Sequence, residues 1–431
     1  QQPRAYPHAI EDIIVRETHI SWVMLTGDYA YKIKKPVRTP FLDFSTLPLR
    51  QHYCEEELRL NRRYAPELYL GVVPIAGSPE TPIVNGDGTP IEYAVRMRQF
   101  PECALLSRMI ATDTLRPEHV DELAREIAAS HAAAERVCEG RPWGEPTLIV
   151  REAVDNFAAL APELPPKAQE QMQELEGWTL APGDRLTETF ARRRASGWVR
   201  ECHGDLHLGN IVLWKPPGPA DQAASPAADG ATAEPPADLA VDHRRSSRSD
   251  NSGEPVEPLA ARVTMFDGIE FSSEFRWIDV VSDIAFTVMD LADRGREDYA
   301  RRLRNAYLER TGDYECLQVW DWYVVYRALV RAKVACLQAD QQSPSTPGHQ
   351  ELLREAAGYL QLATDAAQPR RPQLLITTGA SGSGKTYGSQ QIVERIGAIR
   401  VRSDVERKRL AGLSSEGSSG SGIDAGIYPR A

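Results

Sequence analysis

Residues 203–210 read HGDLHLGN. Two side chains in this stretch decide its reading. Asp205 stands five residues before Asn210. That spacing lets a carboxylate face an acceptor hydroxyl while a carboxamide oxygen ligates a metal. Further along, VTMFDGIEF puts Asp267 at the end of an apolar strand, where a carboxylate can take Mg2+ through oxygen ligands. Moving a phosphoryl group also requires a cation against the phosphates. In YAYKIK, Lys32 and Lys34 fall on one side of an extended strand, because side chains alternate. Either lysine can serve, and the sequence leaves both open.

The helix that follows carries Leu49, Tyr53, Glu57, Leu60 and Tyr64 at steps of three or four, so they share a face. Glu57 is the odd member. A carboxylate turned inward needs a compensating charge, and a lysine of the strand is a fit partner. A purely structural salt bridge has the same sequence signature.

The totals set bounds. A chain of 431 residues with 42% apolar and 26% charged residues suggests two or three globular domains. The net charge of −11 argues against nucleic acid as a partner, which calls for a basic face. Six scattered cysteines show no metal-ligand spacing, so reduced thiols and a cytoplasmic location are expected. No apolar run approaches the roughly 18–20 residues that span a bilayer, so no membrane partner is expected. The opening QQPRAYPHAI lacks the basic start and apolar run of a signal peptide, and its missing Met suggests a trimmed start.

Residues 20–35 read as two strands around a turn at 26–28, and GVVPI and IEYAVRMRQF as further strands joined by NGDG. A helical stretch over 117–138 places His131 on an apolar face, where a satisfied core histidine is expected. Residues 150–200 read as helical, broken at APELPP and APGD. Residues 215–258 are rich in Pro, Ala, Ser and Asp, and a disordered insertion is expected there.

LLITTGASGSGKT is a second nucleotide signature: a buried strand, a G-x-x-x-x-G-K-T loop and a helix. Backbone N–H groups from Gly379 through Ser381, Gly382, Ser383 and Gly384 to Lys385 can cradle phosphates. Lys385 would reach the outer phosphates and Thr386 would ligate Mg2+. A second strand, IRVRSD, then leads into a short helix. Asp404 and Arg407 stand three apart on it; an N-cap Asp with a surface Arg is one reading. The whole P-loop part is only some sixty residues long, too few to bury a good core alone, so it reads as truncated.

HGDLHLGN, FDGIEF and RWIDVVSDIAF together resemble the aminoglycoside phosphotransferase and choline kinase superfamily. YKIKKP, FLDFSTL and LNRRYAPELYLGVVPI resemble a bacterial group in which such a domain is fused to a C-terminal P-loop kinase. The resemblance implies an α+β, protein-kinase-like bilobal domain followed by a partial α/β P-loop domain. The implied boundaries are an N-lobe over 1–100, a helical C-lobe over 101–366 and the P-loop part over 371–431. It implies that Asp205 is the catalytic base, Asn210 and Asp267 the metal ligands, His203 a support of the loop, and Asp283 with Asp279 its brace. The P-loop part resembles small kinases of the gluconate, shikimate and polynucleotide kinase type. There an Asp such as Asp404 can act on the acceptor hydroxyl while an Arg such as Arg407 grips substrate. The implied function is an ATP- and Mg2+-dependent phosphotransferase acting on a small-molecule hydroxyl. The alternative is a nucleotide-binding regulator without turnover. Two features depart from the pattern: no glycine-rich loop precedes the lysine strand, and the acceptor-binding helices carry no legible signature.

Overall fold

The computed structural model describes residues 2–39, 42–160, 164–215, 261–380 and 382–413. Most of the expected insertion (216–258), Ser381 and the tail from 414 lie outside the described residues. The chain begins with β1 (Ile14–Glu17), β2 (Ser21–Leu25) and β3 (Tyr29–Lys34). Gly27 adopts φ +96° in the turn between β2 and β3, and the Thr26 N–H donates to the Tyr29 carbonyl at 2.9 Å. Alternation in YAYKIK sends Tyr29, Tyr31 and Ile33 to one face and Ala30, Lys32 and Lys34 to the other. The first set packs in one hydrophobic cluster, while Ala30 belongs to another.

Two short strands, β4 (Arg38–Thr39) and β5 (Leu42–Asp43), lead to α1 (Leu47–Asn61). Thr46 caps this helix, its hydroxyl accepting from the Leu49 N–H at 3.4 Å. Arg50, Cys54, Glu57 and Asn61 form its buried stripe. Strands β6 (Tyr69–Gly77), β7 (Pro82–Val84) and β8 (Glu92–Arg98) complete a six-stranded antiparallel sheet in the order β1-β2-β3-β8-β6-β7. NGDG therefore joins β7, not β6, to β8.

The rest of this unit is helical: α2 (Leu106–Ala111), α3 (Pro117–Ala133), α4 (Pro146–Val154) and α5 (Pro166–Ala195) precede β9 (Val199–Glu201), β10 (Ile211–Trp214) and β11 (Arg262–Met265). Then come α6 (Ser273–Arg276), β12 (Trp277–Asp279), α7 (Val280–Asp293), α8 (Glu297–Thr311), α9 (Leu317–Ala339) and α10 (Pro347–Ala366). The expected break at APGD does not occur, since α5 runs through it. Packing against α9 and α10 overrides the local breaker signal. Helix α7 is buried from Val280 to Leu291 and forms the axis of the main core, with Ile127, Leu303, Tyr307 and Leu329 around it. Antiparallel pairs β9–β12 and β10–β11 lie beside it and frame the 203–210 loop. A sheet-based lobe and a helical lobe with short strand pairs at their junction make this an α+β, kinase-like bilobal fold.

The P-loop part comprises α11 (Lys385–Ile396) and α12 (Ser403–Leu410). The strands expected at LLITTG and IRVRSD are absent, and LLITTG is not buried. Leu374, Leu375 and Ile376 are 85%, 57% and 77% exposed. A P-loop strand sits inside a sheet covered on both faces. Among the described residues no strand pairs with this segment, so it has neither ladder nor cover. The part is held instead by α8. Arg301 donates to the Glu394 and Arg395 carbonyls at 3.0 and 2.7 Å, and Arg304 to the Gly397 carbonyl at 2.8 Å. These guanidinium groups occupy the open carbonyls and the negative end of α11.

One buried ion cluster joins three elements. Arg193, 1% exposed, bridges Asp279 at 2.7 Å and Asp313 at 2.7 Å. Arg193→Ala strands both carboxylates in the core. The expected loss is about 3–5 kcal/mol of unfolding free energy, read from denaturant titration.

Candidate active site

β9 delivers the chain into 203–210 and β10 carries it away. Gly204 has φ +85°, and a Cβ there would lie 2.6 Å from the Phe275 carbonyl oxygen, so only glycine fits. The loop is held through its backbone by one face of α7. The Asp283 carboxylate accepts the His203 N–H at 3.1 Å and the Gly204 N–H at 2.8 Å. Thr287 donates its hydroxyl to the Leu206 carbonyl at 2.6 Å, and Asp290 accepts the Leu208 N–H at 2.8 Å. Positions 283, 287 and 290 follow the helical repeat. Behind them His131 is buried between the Tyr307 hydroxyl at 2.9 Å and Asp283 at 3.2 Å, a satisfied core histidine as its position suggested. Burial opposes ionisation of Asp283, yet the His131 contact holds its carboxyl below the usual range. Asp279 makes no bond to the loop among those described. It caps α7 through the Val281 N–H at 3.0 Å and pairs with Arg193.

Asp205 is 37% exposed at its side chain. Burial raises its pKa, but His207, His203 and Arg331 outweigh that and keep it well below the usual value. The Asn210 amide donates to the Asp205 carbonyl at 2.9 Å and to its carboxylate at 3.1 Å. The carboxamide oxygen is the atom left for a cation. His203 ties this loop to the turn that carries Asp267. Its Nε2 donates to the Phe266 carbonyl at 2.8 Å, its Nδ1 accepts from the Asp205 N–H at 3.4 Å, and its carbonyl accepts the Ile269 N–H at 2.9 Å. A carbonyl can only accept, which fixes the tautomer. Burial holds this imidazole below its ordinary pKa, hence neutral near pH 7.

Asp267 sits at φ +63°, a left-handed backbone that few non-glycine residues adopt. Tyr69 and Asn61 hold the turn, accepting the Asp267 N–H at 3.0 Å and the Gly268 N–H at 2.7 Å. The carboxylate of Asp267 meets Lys32. Lys32 also donates to Glu57 at 2.9 Å, and Lys34 donates to the other Glu57 oxygen at 2.7 Å and to Glu270. The two lysines are not equivalent. Lys34, Glu57 and Glu270 are sealed, with side-chain exposures of 0%, 0% and 4%, whereas Lys32 borders Asp267, which is 40% exposed. Burial opposes the charge on Glu57, but the two lysines pull its carboxyl well below the ordinary range. Glu201, 3% exposed, pins α1 to the helical lobe through Arg59 at 3.1 Å and Arg63 at 2.8 Å, with Arg276 at 3.0 Å.

Asn61, Glu270, Thr287, Asp290 and Glu201 escaped the sequence reading. Asn61 stands one helical turn beyond Glu57 on the same face. Thr287 and Asp290 repeat the spacing of Asp283 on a helix otherwise apolar. Glu201 offered no signal in sequence.

In the P-loop part, Gly379, Gly382 and Gly384 take φ of +146°, +78° and +80°. Lys385 donates to the Gly379 and Ala380 carbonyls at 2.8 and 2.6 Å, closing the loop on itself. Ser383 and Thr386 flank it, and the Thr386 carbonyl accepts from Arg400 at 3.1 Å. Asp404 lies inside α12 and pairs with Arg402 at 3.1 Å; Arg407 is exposed on the same helix. The N-cap position belongs to Arg402.

Residues 374–427 match the protein-family model described as an AAA domain. Uncharacterized proteins of Mycobacterium tuberculosis and Mycobacterium bovis are 29% identical over 429 residues, covering 99% of this chain and 74% of theirs. Among solved structures, a choline/ethanolamine kinase family protein from Mesorhizobium loti is 12% identical, with a TM-score of 0.39, 83% of this chain and 92% of that chain covered. An ethanolamine kinase from Plasmodium vivax is 10% identical at a TM-score of 0.39, with 81% of each chain covered.

Three outcomes follow from the charges. Lys34→Met leaves Glu57 and Glu270 short of a buried cation and is expected to cost about 3 kcal/mol of stability. Lys32→Met, beside a partly exposed partner, is expected to cost less in the same denaturant assay. Asp283 has a folded pKa below its unfolded value, so its stabilisation is present above about pH 4 and is lost as pH falls further. Unfolding midpoints between about pH 5 and pH 2 are therefore expected to fall less steeply in Asp283→Asn than in the unaltered chain.

Proposed function

We propose that the chain is an ATP-dependent phosphotransferase acting on the hydroxyl of a small molecule, with a second nucleotide-binding module at its C-terminal end. One observation supports this most. Lys32 with Glu57, the Asp267 carboxylate, and the Asp205–Asn210 pair come from four separate stretches of sequence, and His203 links the last two groups directly. In this reading Lys32, rather than Lys34, bears on the phosphates, because Lys34 is fully enclosed. Asn210 and Asp267 offer oxygen donors at a partly open edge, the chemistry that suits Mg2+. Such a cation would neutralise phosphate charge there.

Asp205 accepts the proton of the acceptor hydroxyl. The hydroxyl oxygen forms a bond to the γ-phosphorus as the bond to the β–γ bridging oxygen breaks, giving a phosphate ester and ADP. The depressed pKa of Asp205 keeps it ionised and able to orient the hydroxyl at neutral pH. Asp283, Thr287 and Asp290 keep the loop in place. In the second module, Lys385, Thr386 and the loop glycines would hold nucleotide phosphates, with Asp404 and Arg407 facing its substrate. The exposed LLITTG segment supports assigning the chemistry to the first site.

The test is transfer of label from γ-labelled ATP, with Mg2+, to a pool of small metabolites. The unaltered chain is expected to yield a labelled ester. Asp205→Asn is expected to lower the rate at least about 100-fold, while Lys385→Ala leaves it within about twofold. Equal labelling by the chain and by Asp205→Asn, or label in neither, sinks the assignment and leaves a nucleotide-binding regulator.

A further inference from the structure

A space of about 10 Å³, room for one water-sized occupant, lies where α4, α6, β12, α7 and α9 meet. Apart from the Trp277 indole, every polar side chain lining it ends in oxygen: the Glu152, Glu274 and Asp279 carboxylates and the Ser282, Tyr323 and Tyr326 hydroxyls. Two of these are already engaged. Asp279 pairs with Arg193 and accepts the Val281 N–H, and Tyr326 hydrogen-bonds to Glu152. The Ser282 and Tyr323 hydroxyls have no hydrogen-bond partner among the described residues, although these residues are 1% and 2% exposed. Buried polar atoms nearly always find a partner, and those that do not mark a place for a bound species.

The charges around the space point to the sign of that species. Burial, and then the charge of Glu274, push the Glu152 carboxyl up to about 7, although Arg327 and Arg151 pull it down. The arginines therefore leave the carboxylates short of positive charge. Arg327 stands outside the lining, its Nε donating to the Ser282 carbonyl at 2.9 Å. Glu274 is exposed, which gives an ion a route in from solvent.

We propose that this space binds one monovalent cation, of the size of sodium or potassium, through the Glu152 and Glu274 carboxylates and the Ser282 and Tyr323 hydroxyls. The inference stands apart from the phosphotransfer reading, since none of Lys32, Asp205, Asn210 and Asp267 lines the space. A water would satisfy the hydroxyls and leave the carboxylates uncompensated, whereas a cation answers both. Mg2+ demands near-ideal octahedral geometry and keeps several waters, and Ca2+ takes roughly six to eight oxygens; neither fits these donors in one water's volume. A protonated amine would have to trail its carbon chain out past Glu274. The ligands come from four helices, so the ion ties α4, α6, α7 and α9 together. Ser282 adjoins Asp283, and the Phe275 carbonyl beside Glu274 lies against Gly204. The cation thus steadies the frame behind the 203–210 loop and takes no part in the reaction itself.

Thermal unfolding of the full chain is followed in KCl, NaCl and tetramethylammonium chloride at equal ionic strength, without divalent ions. Tetramethylammonium is too large for the space. KCl or NaCl is expected to raise the midpoint by about 2–4 °C over tetramethylammonium chloride. Tyr323→Phe and Ser282→Ala each remove one donor and little volume, and each is expected to shrink that difference to under about 1 °C. Glu274→Gln, at the exposed edge, gives the same reading should a buried variant fail to fold. Dialysis against labelled sodium, and separately against labelled rubidium as a potassium surrogate, is expected to show one saturable ion per chain with at least one of them. Its affinity is expected to fall about tenfold in the variants. Equal midpoints in the three salts with no saturable ion leave a bound water only and overturn the inference. So does a salt-specific rise or a bound ion that all the variants keep, which places the ion elsewhere. A larger rise with ethanolammonium chloride than with either alkali salt assigns the space to an amine and overturns it as well.

Discussion

The Asp283 carboxylate is the constraint on which the site depends. It sits in the first turn of a helix buried along most of its length, and it accepts two consecutive backbone N–H groups from a loop in the next layer. One of those belongs to Gly204, whose left-handed backbone carries no stabilisation of its own. A turn of that kind is held only when its surroundings over-determine it. Thr287 and Asp290 add two further bonds from the same helix face, so the loop is fixed at four backbone positions before any ligand arrives. The backbone around Asp205 is therefore held by the fold itself.

The second set of constraints comes from charge. Lys34, Glu57 and Glu270 form a sealed triad, and a buried charge is tolerated only when paired. Each member takes its place because the others take theirs. Lys32 shares Glu57 but reaches outward to Asp267. One lysine thus pays the cost of holding Glu57 inside, leaving the other poised at the cleft edge. Glu201, gripped by three arginines, fixes the C-terminal end of the same helix to the lower lobe through Arg59 and Arg63.

Much of this was legible in the sequence, because the signals were local. Alternation in YAYKIK placed both lysines on one face, the helical repeat turned Glu57 inward, and Asp205 and Asn210 stand five residues apart. The choice between Lys32 and Lys34 was not legible. It is made by Asp267 and Glu270, which lie more than two hundred residues further along. Asp279 illustrates the same limit. Its spacing from Asp283 suggested a shared role, yet Arg193 from α5, which also pairs with Asp313 beyond α8, claims it for the core. No periodicity within RWIDVVSDIAF reports on partners so distant.

The P-loop part shows where local reading fails outright. LLITTG has the composition of a buried strand, and its loop glycines adopt the left-handed angles that such a loop needs. A helix can satisfy its own backbone, and α11 and α12 accordingly form. A strand cannot, since its N–H and C=O groups need neighbours on either side. Exposed Leu374 and Ile376 follow from the same cause, because no strand among the described residues pairs with this segment. α8 supplies the remaining support, with arginines at the carbonyl end of α11 on one side and Tyr307 against His131 on the other. The element that seats the second nucleotide signature is thus also the one that backs Asp283, and the two modules meet on a shared helix without sharing a site.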